Sequence, residues 1–266
     1  MSSAIFPGVR IGLWWRDFLC PKEHGSWSLA FEPLALGLLV APSSGGGCLA
    51  LALAAGFFAR RPLRMAVQHR VDASRRLTAA WTVAGCAGAA LFAGAAAVRL
   101  GGTAWLIWLL PVAAAGAAFA WFDAHGAGRE ELAEVSGAAA FALTPATLAI
   151  LAGWPPLSAT ALAVVMVGRS VPSVLCVRAF LRRAKTGRSG NGLALVTSSA
   201  ALLATVFVVA RGGAPLFAGV ALAAFFLRAL ALLVVIRPAW RARTVGMLEA
   251  VLGVVFVLGL AAAWTM

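Results

Sequence analysis

The chain has 266 residues, 62% hydrophobic and only 12% charged, and a net charge of +13; its mean hydropathy is +0.93. Soluble domains carry about a quarter charged residues, so a soluble fold is excluded and an all-α, polytopic membrane protein is implied. The basic excess follows from the positive-inside rule and calls for no nucleic-acid partner.

The N-terminal segment, residues 1–25, reads as cytoplasmic. Within it Ile5 to Leu19 mixes Phe6, Trp14, Trp15 and Phe18 with Arg10, Arg16 and Asp17, the pattern of an interfacial helix on the membrane surface. No cleavable signal peptide is visible there. The segment ends in Pro21-Lys22-Glu23-His24-Gly25-Ser26-Trp27, which gathers a base, an acid and an imidazole where charge meets the first long apolar run. Pro21 and Gly25 suggest a bent or capped helix start, and Trp27 suits the bilayer boundary.

Residues 26–266 form one transmembrane domain of nine apolar stretches, each near the length that crosses hydrocarbon. They cover about 26–41, 46–59, 77–98, 104–122, 132–151, 157–177, 192–210, 214–236 and 244–264. Glycines 85, 94 and 116 suggest close helix approach, and Thr144-Pro145 or Val171-Pro172 a discontinuous helix. Eighteen of the 22 Lys and Arg residues fall in the N-terminal segment and in the loops after spans two, four, six and eight. Only Arg99 and Arg211 fall in the opposite loops. The N-terminus is therefore expected in the cytoplasm and the C-terminus outside, in a bacterial inner membrane.

Two basic residues lie deep inside spans, Arg169 and Arg228, and two acids do the same, Glu32 and Glu249. Ionisable groups are costly in hydrocarbon and face a polar interior. Counting about 1.5 Å per residue from the nearest boundary charge places all four roughly 9 to 14 Å below the cytoplasmic surface. Either they share a polar cavity open to the cytoplasm, or they pair as salt bridges, with Arg228 and Glu249 the first such pair to expect.

Above that level the loop after span two brings Arg60, Arg61 and Arg64, and the loop after span six brings Arg178, Arg182 and Lys185. Arg178 and Arg182 are one helical turn apart and share a face. Guanidinium forks engage phosphate oxygens two at a time, so Lys22, Arg60, Arg61, Arg64, Arg169, Arg178, Arg182, Arg228 and Glu249 are candidate substrate-binding residues. Contact with anionic lipid heads accounts for the same arginines. His24, Glu23 and Glu32 are the candidates for proton transfer. Asp123, Glu130 and Glu134 form the one acidic cluster; they suit a hydrated Mg²⁺, or else cap span five and pair with neighbouring arginines. No metal ligand and no cofactor is assigned. The four cysteines, Cys20, Cys48, Cys86 and Cys176, have no redox or metal spacing.

The stretch Pro21-Lys22-Glu23-His24-Gly25-Ser26-Trp27, with Arg60-Arg61-Pro62-Leu63 and the segment from Arg169-Ser170-Val171-Pro172-Ser173 to Arg178, resembles the YwiC-like family of bacterial multipass membrane proteins. The K-x-H-G-x-W core is its most specific part; Ser26 stands where the family more often has alanine. That resemblance implies a membrane bundle and no established activity. The helix count and the polar loops after spans two and six also resemble UbiA-type intramembrane prenyltransferases. Those enzymes carry aspartate-rich Mg²⁺-diphosphate motifs in these loops, and here the loops are arginine-rich, with Asp72 the sole acid.

Three readings stay open from the sequence. One is a protein that binds or processes an anionic, isoprenoid or phosphorylated lipid-like substrate in a cytoplasm-facing cavity. The others are a transporter or channel for a small solute, and a membrane scaffold or assembly factor.

Overall fold

A computed structural model describes residues 24–68, 72–187, 190–235 and 242–266. Among these residues the chain is helices and turns, with no strand, because backbone polar groups in hydrocarbon must be satisfied within one segment. The helices are α1 (His24–Val40), α2 (Ser44–Val67), α3 (Ala73–Gly101), α4 (Leu109–Ala124), α5 (Glu131–Ala142), α6 (Thr144–Leu151), α7 (Pro156–Thr186), α8 (Gly192–Ala210), α9 (Leu216–Leu230) and α10 (Ala242–Thr265). A 3₁₀ turn, Ala104–Trp108, leads into α4, and a π turn, Ala231–Val235, extends α9. Seven helical units are long and apolar enough to span a bilayer, and Trp27–Val40 is a shorter apolar helix. The protein is thus an all-α polytopic membrane bundle.

The caps follow from local chemistry. Ser43 accepts from the Gly46 N–H at 3.0 Å to open α2, and Asp72 accepts from the Ser74 N–H at 3.2 Å to open α3, each satisfying a donor the helix leaves orphaned. Gly187, at φ 66°, ends α7 in the left-handed conformation that glycine tolerates.

α5, α6 and α7 are the buried centre. Two expectations about breaks resolve differently there. The chain does break before Thr144-Pro145: α5 stops, the Thr144 hydroxyl donates to the Phe141 carbonyl at 2.7 Å, and the short α6 turns into the core. Pro172, by contrast, lies inside an unbroken α7, since one missing N–H is tolerated when packing holds both flanks. Thr147 is fully buried and donates to the Trp108 carbonyl at 3.2 Å, tying α6 to the 3₁₀ turn.

Two further expectations are corrected. The arginine segments after spans two and six are not loops: α2 runs through Pro62 to Val67 and α7 runs on to Thr186. Both helices therefore carry their cations beyond the apolar zone as rigid faces. Glycines 85, 94 and 116 do not mediate close approach; a side chain at any of them would meet nothing within 4 Å. The tight contacts lie elsewhere. At Gly37 of α1 a Cβ would sit 3.1 Å from the Pro145 Cα of α6, and at Gly253 of α10 it would run into the Glu32 carboxylate.

α2 and α3 form a long antiparallel hairpin at the edge of the bundle, with α3 packed chiefly on α2. The hairpin is held at its outer end by a cluster that includes Leu49, Ala50, Ala97, Trp105 and Leu151. On the α1 side Trp27, Phe31, Phe57 and Phe58 pack ring to ring, with centroids 5.5 to 6.1 Å apart. The C-terminal helix α10 closes the bundle against α1.

Candidate functional site: a cavity with charged mouth and charged floor

The inner faces of α1, α2, α4, α5, α7 and α10 enclose a cavity of about 1440 Å³. Its lining on α7 runs Arg169, Ser173, Val177, Arg178, Leu181, Arg182 and Lys185, spacings that repeat along one helical face. From Arg169 to Lys185 that face rises about 24 Å. Across from it α2 presents Leu53, Phe57, Arg60 and Arg64, and α4 presents Val112, Gly116, Phe119 and Asp123. The wall is apolar between two charged levels.

At the mouth, acids of α4 and α5 hold the cations in place. Asp123 lies 3.5 Å from Arg60 and 4.0 Å from Arg64, and the Arg60 guanidinium lies 4.3 Å from the Phe119 ring centroid. Arg178 reaches Glu134 at 2.7 Å and donates to the Arg129 carbonyl at 2.9 Å. Arg182 donates to Glu131 at 2.9 Å. Asp123 and Glu134 of the acidic cluster thus pair with arginines, and among the described residues no group of His, Cys, Asp or Glu is arranged to hold a metal ion. The lining still carries six cations (Arg60, Arg64, Arg169, Arg178, Arg182, Lys185) against three acids (Asp123, Glu134, Glu249). The surplus favours an anionic occupant.

The floor is a four-membered ion network. Arg169, only 2% exposed, sits between Glu32 at 3.6 Å and Glu249 at 3.5 Å. It also donates to the Ser173 hydroxyl at 2.6 Å and to the Glu249 carbonyl at 3.1 Å. Arg228 pairs with Glu249 from the far side, and Ser28 donates to Glu32. The Phe225 ring lies 4.5 Å from Arg169 and 5.7 Å from Arg228. Charges thus alternate Glu32, Arg169, Glu249, Arg228 and cancel, which is how four ions are tolerated at depth. The pairing alternative is realised, Arg228 with Glu249 included; of the shared-cavity alternative, only Arg169 and Glu249 line this cavity, and Glu32 and Arg228 do not. Beyond the floor the bundle is filled by buried Leu36, Val165, Met166, Phe256 and Leu260.

Of the candidate site residues, Arg60, Arg64, Arg169, Arg178, Arg182 and Glu249 line this one cavity, while Glu32 and Arg228 stand behind its floor. Arg61 does not line it. Lys22 and Glu23 lie outside the described residues, as does the interfacial segment Ile5–Leu19, and His24 is described only as the first residue of α1. Sequence reasoning missed Ser28 and Ser173. A signal existed, since each stands four residues from a buried ion, Glu32 and Arg169, on the same helical face. It also missed His125, which lines the mouth with its Nδ1 2.7 Å from the Trp121 carbonyl. Nothing in the sequence pointed to Phe119 or Phe225, whose rings meet the cations only after folding.

The family model described as YwiC-like protein matches residues 20–149. No curated protein and no solved structure shows significant similarity to the chain.

Proposed function

From a chain that is YwiC-like over residues 20–149 and folds as a membrane helix bundle, we propose a protein that holds an anionic, phosphate-bearing amphiphile. The observation that carries the reading is a cavity whose mouth has excess cations and whose wall, through Leu53, Phe57, Val112 and Phe119, is apolar. The head group lies among Arg60, Arg64, Arg178 and Arg182, where forked donors match phosphate oxygens. Its hydrocarbon chain lies along the wall toward Arg169. The mouth faces the cytoplasm of a bacterial inner membrane, as the placement of eighteen of the 22 basic residues directs. Binding is favoured over permeation because buried Leu36, Met166, Phe256 and Leu260 fill the bundle beyond the floor.

Any proton transfer at the bound head falls to His24 and Glu23, the pair the sequence offers at the start of α1, whereas Glu32 is paired with Arg169 behind the floor, away from the head. The test of binding uses farnesyl phosphate, with farnesol as the uncharged control. Farnesyl phosphate is expected to raise the melting temperature of the purified protein and farnesol to leave it unchanged. Arg178→Ala/Arg182→Ala removes two charge-assisted contacts, each worth about 1.5 kcal/mol, and should weaken binding about a hundredfold. Equal response to both compounds, or an undiminished affinity in the double variant, contradicts the reading.

A further inference from the structure

The edges of the cavity are not equally sealed. The α2–α3 hairpin is fastened at its outer end by the Leu49, Trp105 and Leu151 cluster and on the α1 side by the Trp27–Phe31–Phe57–Phe58 rings. Toward α4 the packing is sparse. The cavity lining there is small: Gly56 on α2, and Ala113, Gly116 and Ala120 on α4. Gly56, Ala113 and Ala120 are exposed, and a side chain at Gly56 or Gly116 would meet nothing within 4 Å. The charged connections across this seam lie at the mouth and centre on Arg60 and Arg64 of α2: Asp123 of α4 is 3.5 Å from Arg60 and 4.0 Å from Arg64, and the Phe119 ring of α4 lies 4.3 Å from the Arg60 guanidinium.

We propose that the seam between α2 and α4 is a lateral door through which the hydrocarbon chain of the amphiphile passes from the bilayer, with Asp123 as its latch. The inference rests on the binding function proposed above and adds the source of the ligand, the surrounding lipid and not the aqueous phase. Its logic is electrostatic competition. Arg60 and Arg64 are the same cations that engage the head, so an arriving phosphate draws them from Asp123 and releases the fastening that holds the hairpin to α4. The chain then slides in beside Gly56 and Gly116, where no side chain must move.

The experiment reconstitutes the full chain in phosphatidylcholine vesicles containing farnesyl phosphate and measures protein-bound ligand over time by mass spectrometry. In parallel, inorganic diphosphate is added to the protein in detergent and its effect on melting temperature recorded, which reads the head site alone. Gly56→Leu/Gly116→Leu, which fills the seam, should slow loading at least tenfold and leave the diphosphate response unchanged. Asp123→Asn should load faster than the unaltered protein. Should the leucine variant fail to fold, Gly56→Cys, whose side chain meets nothing, is folded first and then capped with benzyl methanethiosulfonate, with the unaltered protein treated alongside. Capping should slow loading of the cysteine variant alone, and dithiothreitol should restore it. Loading at an unchanged rate in the filled or capped protein, or slower loading in Asp123→Asn, overturns the door. Absence of any response to both farnesyl phosphate and diphosphate in the unaltered protein overturns the binding reading itself, so the two failures are separable.

Discussion

Removing Arg169 tests the floor most sharply. Arg169 is 2% exposed and is the cation beside Glu32, at 3.6 Å, whereas Glu249 keeps Arg228 when Arg169 is lost. At 3.6 Å and an effective dielectric near 20, the Coulomb attraction in this pair is about 4–5 kcal/mol, most of it offset by desolvation. Deleting one partner forfeits the attraction and keeps the other ion buried, a loss of about 3–5 kcal/mol. Arg169→Met should therefore lower the folding constant by a factor of about 100 or more. Glu32→Gln leaves Arg169 its 3.5 Å partner Glu249 and should cost less. The double variant Glu32→Gln/Arg169→Met no longer buries a lone carboxylate, so it should lose about 2 kcal/mol less than the sum of the single losses. Equilibrium unfolding in mixed dodecylmaltoside and dodecyl sulfate micelles, followed by far-ultraviolet circular dichroism, measures all three. Additive losses, or a single Arg169→Met variant as stable as the unaltered chain, would refute the account of the floor as a coupled network.

Other outcomes follow from named contacts. Gly37→Ala should destabilise by about 1–3 kcal/mol in the same unfolding assay, because its new Cβ would lie 3.1 Å from the Pro145 Cα of the buried α6. Gly85→Ala, on a helix face with nothing within 4 Å, should be neutral or slightly stabilising, since alanine is the better helix former by about 1 kcal/mol. Trp105→Phe removes the 2.8 Å indole hydrogen bond to the Gly102 carbonyl and should lower stability by about 1 kcal/mol. Gly253→Val should perturb the floor from the opposite helix, since its side chain would run into the Glu32 carboxylate; intrinsic tryptophan emission and the unfolding midpoint should both shift.

Much of this architecture was legible beforehand because the bilayer restricts the options. Apolar runs and alternating loop charge marked nine segments, and seven coincide with helical units long and apolar enough to span a bilayer. The first falls on the shorter apolar helix Trp27–Val40 and the second on Ser44–Val67, which is not among those seven. Depth counted along helices placed Glu32, Arg169, Arg228 and Glu249 at one level, and they meet in one network. The break before Thr144 was visible in its proline, yet Pro62 and Pro172 carry the same signal inside intact helices. Packing decides among them, and a sequence does not record it. Glycines misled for the same reason: which face of α3 meets a neighbour depends on where the hairpin swings, so Gly85 and Gly94 face open space while Gly37 and Gly253 make the close contacts. The pairing of Asp123 with Arg60 joins residues 63 positions apart, and no local pattern announces it.

The most direct measurement is experimental density for the protein purified in a mild detergent and imaged by electron cryomicroscopy. The account predicts an elongated feature inside the cavity, its dense end among Arg60, Arg178 and Arg182 and its tail running along Phe57 and Val112 toward Arg169. A cavity collapsed around paired side chains, or one holding only ordered water from mouth to floor, would contradict it.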